Sequence, residues 1–159
     1  MFLLALFAGI FIGFILTVYA CGYVLEREKR YRKKFLMYYQ MMDKWMLHME
    51  RGENVCRGLK EKGIDTVAIY GMGKVYHHLK YELQQEGVTV KYVIDEKDEV
   101  LGEQNVYMLK DQLPDIKVVI VTVIDEYDDI REQLRKRMLD SAIISVNDLI
   151  NGKGDIINE

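Results

Sequence analysis

A chain of 159 residues and 18.7 kDa holds about one domain, which excludes a two-domain dehydrogenase or kinase. Half of the residues are hydrophobic and 30% are charged, the balance of a globular protein, yet every charge lies after residue 25. A membrane segment therefore has to be placed before any fold is argued.

Residues 2–25 read FLLALFAGIFIGFILTVYACGYVL, about 36 Å as a helix against a hydrocarbon core of about 30 Å. The stretch is apolar all round, whereas a soluble helix shows a polar face, so residues 1–25 are expected to form a transmembrane helix. Arg27, Lys29, Arg30, Arg32, Lys33 and Lys34 follow it and no Lys or Arg precedes it. The positive-inside bias then puts the N-terminus outside and the rest in the cytoplasm, as a single-pass protein. A cleaved signal peptide would need a basic start and a shorter apolar run. Val18-Tyr19-Ala20-Cys21 is a weak lipobox, because Tyr19 stands where a small residue is required. Ala5, Gly9, Gly13, Thr17 and Cys21 recur every fourth residue. Small residues on one face let helices approach closely, so self-association through Gly9 and Gly13 is expected.

Residues 26–62 form a basic, then amphipathic, juxtamembrane helical region. Tyr31, Phe35, Tyr38, Met42, Trp45 and Met49 follow 4-3-4-3-4 spacing, the seam of a helix that buries one face. Leu36, Met37, Tyr39, Met41, Met46 and Leu47 widen the apolar surface. The helix is thus expected to pack on its own domain and on a partner, or wholly on its own domain, and the methionines suit an adaptable contact. No second ligand-type residue shares a face with His48. Arg51-Gly52 marks a break, with a shorter helix over residues 54–62.

Residues 63–150 alternate short β-branched runs with helical stretches. Strands are expected at 66–70, 88–94, 105–108, 117–123 and 142–146, and helices at 75–86 and 126–138. Such alternation implies right-handed βαβ units and a parallel sheet: a single Rossmann-like, doubly wound α/β domain of about five strands in the order 3-2-1-4-5. Residues 151–159 form a tail.

The chemistry lies in Tyr70-Gly71-Met72-Gly73-Lys74, after a strand and opening a helix. Two glycines permit a tight turn and close backbone approach, and the helix N-terminus offers amides and positive dipole to a phosphate. Asp95 ends the second strand, where a carboxylate can accept from a ribose. Gly71, Met72, Gly73, Lys74 and Asp95 are therefore the candidate cofactor-binding residues. Tyr76 occupies the place of the third glycine, which ordinarily permits close packing of helix on strand, and the glycines alternatively serve backbone geometry alone.

The stretch VAIYGMGKVYHHLKYELQQEGVTVKYVIDE, together with VVIVTVIDEYDDIREQL and the closing Ile144-Ser145-Val146-Asn147-Asp148-Leu149, resembles the Rossmann-like domains found beside bacterial glycosyltransferases and in surface-polysaccharide gene clusters. Those domains are often labelled nucleoside-diphosphate-sugar or NAD(P)-binding. The resemblance covers about residues 45–150. It implies an accessory, sensing or binding role in glycan assembly at a bacterial cytoplasmic membrane, with Gly71, Gly73 and Asp95 facing the ligand.

Other constellations point away from catalysis. Tyr76 and Lys80 make a YxxxK pair, as in short-chain dehydrogenases, but on the first helix after the turn instead of a later one. His77 and His78 are adjacent, so they point about 100° apart and cannot chelate one metal from one face. Cys21 and Cys56 give neither a disulfide framework nor a zinc motif. Asp95, Glu96, Asp98 and Glu99 read as a solvated acidic loop, and Asp125, Glu126, Asp128 and Asp129 as charge favoured at a helix start. Nucleic acid is not an expected partner, since the chain after residue 34 is net negative by seven. The expected function is a non-catalytic, membrane-tethered cytoplasmic module binding a nucleotide or nucleotide-sugar. The alternatives are an NAD(P)-dependent oxidoreductase or sugar-nucleotide-modifying subunit, and a ligand-free scaffold recruiting a glycosyltransferase.

Overall fold

The computed structural model describes residues 2–96 and 105–152. The chain divides into two compact units, Met1–Tyr39 and Gln40–Glu159. Helix α1 runs from Phe2 to Glu50. It is long and apolar enough to cross a membrane, with a mean hydropathy of 1.7 in its most apolar window. Its large apolar side chains from Ile10 to Leu25 are at least half exposed.

In the second unit a short helix α2 (Arg57–Glu61) precedes β1 (Thr66–Tyr70), α3 (Lys74–Gln85), β2 (Thr89–Ile94), β3 (Val106–Tyr107), β4 (Val118–Val121), α4 (Tyr127–Arg135), β5 (Ala142–Ser145) and α5 (Val146–Ile150). The five strands form one sheet in the order β3-β2-β1-β4-β5, every pair parallel. This is the α/β architecture and strand order expected from the alternation of β-branched runs and helices.

The central strands read as near-continuous apolar runs because both faces of a parallel sheet are covered. On one face Ala68, Tyr70, Tyr92, Ile94, Val119, Val121 and Ile143 pack with Ile130, Leu134 and Met138. Residues of opposite parity, such as Val67, Ile69, Val118 and Ile120, are equally buried and face the other layer. The register of β1 on β2 shifts between Val67, paired with Val90, and Ala68, paired with Tyr92. Lys91 is the extra residue of this bulge, and its ammonium reaches the Asp115 carbonyl at 2.9 Å. Tyr92 thereby keeps its place beside Ala68 in the core.

Two features depart from expectation. The buried stripe at the C-terminal end of α1 is Met41 and Trp45, not Met42, Trp45 and Met49: Met41 and Trp45 are 1% and 2% exposed, whereas Met49 is 61% exposed. His48 also has a structural role, its Nδ1 lying 2.7 Å from Glu53 Oε2 and its Nε2 2.8 Å from the Ile150 carbonyl. The second departure is α5, which follows β5 without a loop. Ser145 caps it in a reciprocal box, accepting from the Asn147 amide while Asp148 accepts from the Ser145 amide.

Candidate functional site: the glycine turn after the first strand

Strands β1 and β4 are neighbours whose connections leave toward opposite sides of the sheet, β1 leading into α3 and on to β2, β4 into α4 and on to β5. Their carboxyl ends mark the switch point at which open α/β sheets bind ligands. Tyr70, Gly71, Met72, Gly73 and Lys74 lie there, followed directly by α3.

Gly71 has φ +92, a conformation that side chains resist. A Cβ built on it would stand 2.7 Å from Thr122 Oγ1 and 3.0 Å from Val123 Cγ2, so steric and torsional demands both select glycine. Its amide donates to the Ile94 carbonyl at 2.8 Å, which holds the turn against the end of β2. Thr122 holds it from the other side. Its hydroxyl lies 3.0 Å from the carbonyls of both Tyr70 and Gly71, and its amide donates to Tyr70 at 3.0 Å. Sequence reasoning passed over Thr122; the signal was a lone hydroxyl closing an otherwise apolar strand run.

Gly73 differs from Gly71. It is the N-cap of α3 with φ −72 and offers no side-chain cap to the helix, and its Cβ direction is open space. Nothing within the fold requires glycine there. The Tyr76 amide donates to the Gly73 carbonyl at 3.1 Å, which leaves the Lys74 and Val75 amides and the exposed Lys74 side chain as the groups a phosphate could approach.

Asp95 follows β2, and its Oδ2 accepts from the Met72 amide at 2.7 Å. The strand end thus brings the carboxylate to the glycine turn, within reach of the same ligand that the turn would hold. Around it the field is negative. Burial first, then the carboxylates of Glu96, Asp95 and Glu126, hold the Tyr70 hydroxyl above the ordinary phenol range. Asp98 and Glu99 lie outside the described residues.

Tyr76 is fully buried. Its ring meets His77 edge-on at 5.3 Å and lies 5.7 Å from the Lys80 ammonium. The pair is thus a buried ring with an ammonium over it, on the first helix after the turn. His78 stands 6.3 Å from the Trp45 ring, and among the described residues no group of three or more His, Cys, Asp or Glu is placed to hold a metal ion. Cys56 is a free buried thiol whose pKa burial pushes up, assisted by Glu82 and Glu86, so it is a poor nucleophile.

A cavity of about 700 Å³ opens elsewhere, lined by Asp65, Lys91, Asp115, Lys117, Arg137 and Ser141 among others. Several of these immediately precede strands, so the cavity belongs to the amino ends of the sheet, opposite the glycine turn. No protein-family model, curated protein or solved structure matches this chain.

Proposed function

We propose that this chain is a membrane-tethered cytoplasmic module that binds a nucleotide or nucleoside-diphosphate sugar at the turn formed by Gly71, Met72, Gly73 and Lys74. Its role would be accessory or regulatory in bacterial surface-glycan synthesis. The observation that carries the reading is the contrast between the two glycines: Gly71 is required by the fold, whereas Gly73 leaves an uncapped helix start with open space above it. An amide-lined opening at a switch point suits a phosphate, and Asp95 beside it suits the hydroxyls of an unphosphorylated ribose. Glu96 and Glu126 add negative charge nearby, so a 2′-phosphorylated dinucleotide is the disfavoured member of the class.

Calorimetry on the full chain in detergent micelles, against NAD(H), NADP(H), UDP- and GDP-sugars, tests this. A saturable ligand should appear, and Gly73→Val and Asp95→Ala should each weaken it at least tenfold while circular dichroism shows the fold retained. Uniform silence from the folded chain, or unchanged affinity in both variants, overturns the reading. The tether and its direction are tested separately. In sealed inside-out vesicles a membrane-impermeant maleimide should modify a cysteine placed at exposed Lys74, and in right-side-out vesicles it should not.

A further inference from the structure

We infer that the first unit is a dimerisation stalk whose occupant is a second, parallel copy of the same helix, joined both within the bilayer and beyond it. The inference rests on α1 spanning a membrane and extends past the small-residue face already noted. Tyr31, Phe35 and Tyr39 are 60%, 74% and 61% exposed and stand four residues apart, so they form one ridge. At about 100° per residue this ridge centres about 80° from the Gly9 direction, while Gly9, Gly13, Thr17 and Cys21 centre at about 60°. Two unrelated surfaces, one small and one aromatic, thus share one face of a single helix.

Lipid does not account for the aromatic part. Phe35 and Tyr39 lie about 15 and 21 Å along the helix beyond Leu25, whereas the polar interface of one leaflet is only about 5–8 Å deep. A single partner that covered both parts would have to cross the bilayer as a helix and continue beside α1 into water. A second copy meets both demands in register, small residues against small and aromatics against aromatics. The charges agree with this. Glu28 lies on the same face, flanked on the helix surface by Arg27 and Arg32, and in two parallel helices each Glu28 comes beside the Arg27 edge of the other.

Chains carrying Cys21→Ser and one introduced cysteine test the inference in native membranes, where buried Cys56 stays silent. Alkali-resistant retention in the membrane pellet is scored first, which separates loss of the tether from loss of the dimer. Mild oxidation should give a disulfide-linked band at twice the monomer mass with Phe35→Cys and with Tyr39→Cys. Lys33→Cys, on the opposite side of the helix at about 240°, should give at least tenfold less. Phe35→Glu with Tyr39→Glu, at positions too exposed to unfold the domain, should lower energy transfer between differently labelled copies severalfold. Equal cross-linking at residues 33, 35 and 39, no cross-linking at 35 and 39, or an adduct of another mass would each overturn it.

Discussion

Among the described glycines, Gly71 is the one at which an added methyl group meets neighbouring atoms. Its positive φ and its 2.7 Å approach to Thr122 Oγ1 act together, so Gly71→Ala should destabilise the domain by about 1–3 kcal/mol. Urea denaturation read from the single tryptophan will measure this, and an unchanged midpoint would show that the turn relaxes freely. Tyr92 makes a different test. Its hydroxyl donates to the Pro114 carbonyl at 2.7 Å, and burial, with smaller contributions from Tyr107 and Asp115, pushes its pKa from 10.0 to about 12. The folded state therefore favours the neutral phenol. The stabilisation is complete below pH 10 and fades as pH rises toward 12, by no more than about 2–3 kcal/mol. Tyr92→Phe should flatten the alkaline limb of a stability profile between those values; an unaltered slope would reassign it to other groups. Gly71 and Gly73 were legible as a turn from their place between a strand and a helix, and Asp95 as the end of the second strand. The bond from the Met72 amide to Asp95 was not, because it depends on where β2 stops relative to β1.

At the scale of elements, Trp45 shows how a helix end is fixed to the domain. Its indole donates to Glu82 Oε1 at 2.9 Å, the Val55 amide donates to Glu82 Oε2 at 3.0 Å, and Asn54 donates to the Glu82 carbonyl at 2.9 Å. One carboxylate, 7% exposed, thus joins the last turns of α1 and the following loop to α3. Trp45→Ala should cost about 3–5 kcal/mol, from lost packing and from a buried carboxylate left short of a donor. Thermal unfolding by circular dichroism will read it, and a loss under 1 kcal/mol would move Trp45 out of the core. Trp45 is accordingly not available as a recruiting surface. The strands were legible because buried parallel strands must be apolar throughout, and β1 matches its expected bounds at Thr66 and Tyr70. The seam of α1 was read one residue off at Met41 because both of its broad faces are apolar, so periodicity did not say which one the domain covers. Helix α5 is too short for periodicity, although Ser145 and Asp148, three residues apart, already spelled a capping box.

At the scale of the molecule, charge segregation divides the chain before any fold is known. An uncharged N-terminal run becomes the exposed apolar part of α1, and the alternating remainder becomes the sheet. That division was legible since an uncharged apolar run and an alternating one make different elements. What the turn holds was not legible, because a turn exposes backbone amides that every sequence possesses, and two glycines identify a shape more readily than an occupant. Thr122 has a consequence of its own. Its hydroxyl proton is shared between the carbonyls of Tyr70 and Gly71 and its amide donates to Tyr70, so Thr122, heading the segment that leads from β4 to α4, ties the ends of two neighbouring strands together. A displacement of the glycine turn is therefore expected to carry the start of the segment leading to α4 with it, and loosening either loop by Thr122→Val should show in the other as faster amide exchange.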